Sequence, residues 1–104
     1  MIDRALFVRL EAKEGKEDEV EAFLRSALDV VMEEEGTIDW YAVKFGTREF
    51  AIFDTFGSDK DRLAHLAGKV GQALIANAPT LLSRMPKIEH AEVLAFKEAM
   101  AEAL

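Results

Sequence analysis

The order of apolar and polar positions divides the chain into elements. Ile2–Glu11 alternates with a period of two, placing Leu6, Val8 and Leu10 on one side and Ala5, Phe7 and Arg9 on the other, which predicts a strand. Glu14-Gly15-Lys16 is a turn. The period then becomes helical: Val20, Phe23, Leu24, Ala27, Leu28 and Val31 form one stripe between Glu17 and Glu35. Glu17, Asp18 and Glu19 fill the first turn, where the helix dipole favours acids, and Gly36 is expected to end the helix. Glu33-Glu34-Glu35 lies at the unfavourable end and reads as a solvated terminus.

Thr37–Phe45 and Glu49–Phe56 hold the single Trp, the single Tyr and four of the seven Phe residues. Aromatic and β-branched residues on both sides of Gly46-Thr47-Arg48 predict a hairpin with two apolar faces. A two-residue turn at Thr47-Arg48 places Tyr41 opposite Asp54 on the face that also carries Phe45, Val43, Ile52 and Phe56. Ile38, Trp40, Ala42, Ala51, Phe53 and Thr55 then share the other face. A three-residue turn would shift one strand and swap its faces, since one step of register reverses every side chain.

Ser58 followed by Asp61 makes a variant capping box that opens a second helix, with Leu63, Leu66, Ala67, Val70 and Leu74 as its inward stripe. Gly68 and Gly71 weaken that helix, and small residues there permit close approach of backbone or ligand. Pro79 breaks the pattern, so Pro79–Ser83 is expected to form a separate short helical turn. Pro86 precedes a last strand, Ile88–Phe96, and Lys97–Leu104 reads as a helical tail suited to dock on a partner or neighbour.

Strand, helix, strand, strand, helix, strand is the α+β ferredoxin-like split βαββαβ order. Right-handed crossovers place two helices on one face of a four-stranded antiparallel sheet. The other face, carrying Phe7, Ile38, Trp40 and Phe53, is left as an association surface. A homodimer packed sheet against sheet, a dimeric α+β barrel, is the economical cover.

With 104 residues the chain is one domain spanning 1–104. It has no Cys, which removes disulfides, thiolate metal sites and Cys nucleophiles. A net charge of -7 argues against nucleic acid and against an anionic membrane surface. The start has charges at Asp3, Arg4 and Arg9 and lacks a signal-peptide pattern, and no apolar run is long enough to span a bilayer; a soluble, cytoplasmic protein is expected. Glu89-His90-Glu92 is a weak metal pattern, because only His90 and Glu92 share a side, and no metal site is expected.

Three stretches carry a family resemblance: Ala12-Lys13-Glu14-Gly15-Lys16 before the first helix, Glu35-Gly36-Thr37 before the second strand, and Asp54-Thr55-Phe56-Gly57-Ser58 running into Ala64-His65-Leu66. In order and spacing they resemble the antibiotic biosynthesis monooxygenase family of dimeric α+β barrels. The resemblance covers nearly the whole chain. It implies a homodimer that oxygenates quinols, anthrones or related polyphenols with dioxygen and without metal, flavin or haem. The chain departs from the family's usual Glu-x-Trp at the end of strand three: Asp54 and Phe56 stand there, so the aromatic wall is kept and the indole donor is lost. At the positions used by the haem-degrading branch it has Val8, His65 and Ile75, so that branch's ligand set is incomplete.

Under this reading His65 is the base, Asp54 its orienting carboxylate, and Tyr41, Phe56, Val8 and Ile52 the walls of a substrate pocket. An imidazole near neutral pH removes a proton from a phenol, and a carboxylate fixes its tautomer. Each residue also has a structural reading: His65 as a boundary residue with a backbone-paired ring, Asp54 as the partner of an Arg or a helix cap, Tyr41 and Phe56 as core. The functional alternative is a non-catalytic dimeric barrel that binds a small aromatic or apolar ligand.

Overall fold

The computed structural model describes residues 2–98. Four strands, β1 (Arg4–Glu11), β2 (Thr37–Lys44), β3 (Glu49–Phe56) and β4 (Lys87–Glu92), form one antiparallel sheet in the order β2-β3-β1-β4. Three helices, α1 (Glu17–Val31), α2 (Asp59–Leu66) and α3 (Lys69–Leu81), complete the ferredoxin-like α+β arrangement. No helix among the described residues is long and apolar enough to cross a membrane.

The core lies between sheet and helices. Val8 and Leu10 of β1, Phe50 and Ile52 of β3, Val20 and Leu24 of α1, and Leu74 and Ala78 of α3 pack as one cluster. Alternation on β1 falls as expected: Leu6, Val8 and Leu10 are buried under the helices, whereas Arg9 is exposed on the opposite face.

The hairpin register is the first correction. Lys44 pairs with Phe50 and the Phe45 amide donates to the Glu49 carbonyl, so the loop is three residues, Gly46-Thr47-Arg48. That step reverses β2 relative to the two-residue expectation. Trp40 pairs with Asp54 on the helix side and packs against two core clusters, so it does not lie on the open face. Tyr41 pairs with Phe53 and is 57 % exposed, so it is not beside Asp54. A bulge between Thr37 and Asp39 resets the register at the far end and leaves Ile38 exposed. Phe7 and Phe53 face each other across β1 and β3 on the open side, as anticipated.

The second helix is two helices. Ser58 accepts from the Asp61 amide at 3.1 Å and caps α2 as the sequence indicates. The chain then leaves the helix at Ala67 and re-enters after Gly68, whose backbone is extended. The break divides the expected stripe: Leu63 is exposed and His65 is the buried residue of α2, whereas Val70, Leu74 and Ala78 are buried on α3. Pro79 lies inside α3 near its end and does not start a separate turn. Likewise α1 stops at Val31, five residues before Gly36. Strand β4 ends at Glu92, short of Phe96, and residues 93–98 are irregular. The expected tail helix falls largely on residues 99–104, outside the described residues.

Gly71 shows why the break packs tightly. A Cβ there would sit 2.4 Å from the Leu66 carbonyl oxygen, which belongs to the backbone of α2. Gly71→Ala is therefore expected to destabilise the fold by about 1–3 kcal/mol through overpacking, reversing the gain of up to about 1 kcal/mol that Ala ordinarily brings to a helix. Gly46→Ala, with open space around its Cβ position, is expected to be close to neutral. Urea unfolding of both variants reads the difference.

Candidate active site

Asp54 comes from the centre of the sheet, two residues before the end of β3, on the side covered by helices. It is 1 % exposed. An ionised carboxylate at such a site needs partners. Its Oδ2 meets His65 Nε2 at 2.8 Å. Its Oδ1 is buried and has no hydrogen-bond partner among the described residues.

His65 is held from three directions. On its other ring nitrogen, Nδ1 meets Glu34 Oε1 at 2.6 Å. Thr37 donates to the same Glu34 oxygen at 2.8 Å, and its hydroxyl lies 3.4 Å from Nδ1. Phe56, fully buried, sets its ring 5.3 Å from the imidazole centroid at a tilt of 44°. Neither ring nitrogen is free.

The connection between α1 and β2 brings Glu34 to this point. The helix loosens after Val31, where the Glu33 and Glu34 amides bond to Val30 and Val31 carbonyls. Gly36 allows the loop to close on α2: a Cβ there would lie 2.8 Å from Asp61 Cγ. Gly36 therefore serves close approach and does not cap α1. Sequence reasoning missed Glu34 and Thr37 as neighbours of His65. The available signal was three consecutive acids at a helix C-terminus, where the dipole opposes them.

Two depressions meet at His65. The inner one, about 60 Å³, is lined by Asp54, His65, Val8, Ile52 and other apolar side chains of β1, α2, α3 and β4. Its rim includes Ile75 and Ile88, both partly exposed. The outer one, about 200 Å³, is formed by Glu34, Glu35, Gly36, Thr37, Asp61, Ala64 and His65. Of the residues expected at the pocket, Asp54, His65, Val8 and Ile52 come together, Phe56 flanks His65, and Tyr41 stands on the opposite face of the sheet.

Burial pushes the Asp54 carboxyl above its usual range, and the hydrogen bond and charge of His65 only partly oppose this. For His65, burial acts to lower the pKa, but the hydrogen bonds and charges of Asp54 and Glu34 together outweigh it and hold the imidazole above its ordinary value. Two contacts on two ring nitrogens require two protons along the row. They are supplied either by an imidazolium between two carboxylates, or by a neutral imidazole beside one carboxylic acid. The carboxylates face opposite edges of the ring and so do not converge on a common point; no cluster among the described residues is arranged to hold a metal ion.

No family model matches the chain, and no curated protein matches it. Among solved structures, a protein of unknown function from Nitrosomonas europaea is 50 % identical, with 97 % of this chain and 98 % of that chain covered and a TM-score of 0.93. A candidate antibiotic biosynthesis monooxygenase from the same organism is 14 % identical, with 88 % and 90 % covered and a TM-score of 0.79. Another, from Caulobacter crescentus, is 15 % identical, with 90 % and 92 % covered and a TM-score of 0.77. At those identities the last two are likenesses of fold.

Both upward shifts mean that the folded protein binds more protons here than the unfolded chain, so stability falls as pH rises. The His65 contribution is complete below about pH 6.5, the unfolded value, and is lost as pH passes the raised folded value. Thermal unfolding is expected to show a midpoint that declines as pH rises above about 6.5, with the His65 ring resonances changing over the same range. A flat profile there would count against the assigned cluster.

Proposed function

Because the chain belongs to the family of the Nitrosomonas europaea protein of unknown function and has the fold of the antibiotic biosynthesis monooxygenase-like structures, we propose that it is a monooxygenase acting with dioxygen on quinol- or anthrone-like aromatic substrates, without an added cofactor. The observation that carries this reading is Asp54: a buried carboxylate on the wall of an otherwise apolar cavity, one oxygen bound to His65 and the other unpartnered.

In this reading the catalytic pair is Asp54 with His65, with the roles expected of them exchanged. With both ring nitrogens engaged, His65 orients and charge-balances the carboxylate, and Asp54 Oδ1 is the atom open to a substrate proton. Asp54 takes the hydroxyl or enol proton of the substrate. The anion passes one electron to dioxygen, giving a substrate radical and superoxide. Their recombination forms a carbon–oxygen bond and a peroxide anion, which recovers the proton from Asp54. Where that carbon still bears a hydrogen, loss of water leaves a carbonyl. Val8 and Ile52 exclude water from the reacting edge and Phe56 fixes the imidazole plane.

Size limits the substrate. The cavity of about 60 Å³ is smaller than the roughly 150 Å³ known to admit benzene, so a ringed substrate requires it to widen, and its lining includes the partly exposed Ile75 and Ile88. The mostly apolar lining of the cavity supports a second reading, a non-catalytic barrel that binds a small aromatic or apolar ligand. Oxygen uptake by metal-stripped protein against a panel of quinols and anthrones separates the two. Asp54→Asn, nearly isosteric, is expected to lower kcat by about 10²-fold or more while ligand binding persists. Binding without uptake in the parent protein supports the second reading.

The reading includes a homodimer. Tyr41, Val43, Phe45 and Phe53 are exposed on the open face, with Arg9 stacked over Phe7 and Phe45. A second copy, sheet to sheet, covers that apolar surface. Phe53→Lys is expected to shift the sedimentation mass from two chains to one; an unchanged mass would place the interface elsewhere.

A further inference from the structure

Glu34 has no part in the substrate cavity, yet it makes the shorter of the two contacts to His65. It lines the outer cleft, where its side chain is 21 % exposed, whereas Asp54 lines the inner cavity. Among the described residues, the imidazole is the one side chain that lines both spaces. We propose that Glu34 is a positioning residue that holds His65 as a doubly hydrogen-bonded cation and so keeps the Asp54 carboxylate ionised inside an apolar wall. The assignment rests on the reading of Asp54 as the group that accepts the substrate proton.

The proton count gives the reason. Asp54 and His65 alone share one proton between Oδ2 and Nε2, and an apolar surrounding favours the neutral form of such a pair, carboxylic acid beside neutral imidazole. In that form Asp54 is no longer a base. A second carboxylate on Nδ1 alters the balance: its charge acting directly on Asp54 favours the protonated acid, but its hydrogen bond and charge on the ring stabilise the imidazolium and not the neutral ring. The groups facing His65 have one sign: Asp54 from β3, Glu34 from the α1–β2 connection, and Glu35 and Asp61 across the outer cleft. Among the described residues, no Lys or Arg lines either space. The Thr37 hydroxyl donates to the Glu34 oxygen that meets Nδ1, and the close approach of Gly36 to Asp61 keeps the connection against α2. Glu34 also gives the cluster its contact with water: a proton leaving Nδ1 passes to a carboxylate at the outer cleft and not back into the cavity.

The test reads protonation directly, by nitrogen-15 NMR of the full-length protein with labelled histidine. At pH 7 both His65 nitrogens are expected to be of the protonated type. A single N–H at that pH overturns the proposal without any variant. In Glu34→Gln, which keeps the side chain's length and an acceptor oxygen, the His65 midpoint is expected to fall by about one to three pH units. Glu35→Gln removes the same charge from an exposed neighbour across the cleft that does not touch the ring, and is expected to move the midpoint much less than Glu34→Gln does. Equal shifts in both variants, or none in either, would reduce Glu34 to a surface charge. Where substrate turnover is measurable, the alkaline side of the kcat/KM profile moves with the midpoint in Glu34→Gln. A shifted midpoint with no oxygen uptake in the parent protein would leave Glu34's role standing and remove the oxygenase reading. Uptake with an unmoved midpoint would do the reverse.

Discussion

The imidazole of His65 is the polar contact on which the interior of this protein depends. It joins the sheet through Asp54, the α1–β2 connection through Glu34, and α2 through its own backbone. A buried carboxylate without that ring would be an uncompensated charge beneath the helices, which costs several kcal/mol where it occurs. In the proposed reading, stability and chemistry share one group. The proton that satisfies Asp54 structurally is also the proton whose location decides whether Asp54 can act as a base.

The fold isolates this contact by small departures from regularity. A single helix from Ser58 to Leu74 would have turned Leu63 and Leu66 inward together with Val70. The break at Ala67-Gly68 instead lets α2 present His65 to the sheet and lets α3 restart with an apolar stripe of its own. The bulge at Ile38 ends the regular pairing of β2 beside the same site. Close approaches at Gly36 and Gly71 hold the surrounding segments near enough for short contacts. The result is an imidazole with an apolar cavity on one side and an acidic cleft on the other.

Fold similarity does not carry the chemistry, because ferredoxin-like and related folds host many unrelated functions. In this chain the chemical reading follows from the donor and acceptor count around His65. A histidine with a free nitrogen would be an ordinary general base. Here both ring nitrogens are occupied, which is why the proposed reading gives that role to the carboxylate at a small, mostly apolar cavity.

The sequence by itself determined the order of elements, the single-sheet α+β architecture, the inward face of β1 and the cap at Ser58, because these follow from local periodicity and from hydrogen bonds a few residues apart. It also singled out Asp54 and His65, since a carboxylate within an apolar strand and an imidazole amid apolar helix positions stand out against their neighbours. The faces of Trp40 and Tyr41 depended on one residue in a hairpin loop, and an alternating pattern that is apolar on both sides contains nothing to choose between registers. The helix break was likewise hidden, because Gly68 and Gly71 are compatible with a continuous helix until α2 and α3 are packed together. Glu34 was decided by tertiary structure alone: thirty-one positions separate it from His65, and only the closing of the α1–β2 connection onto α2 brings its carboxylate to the ring.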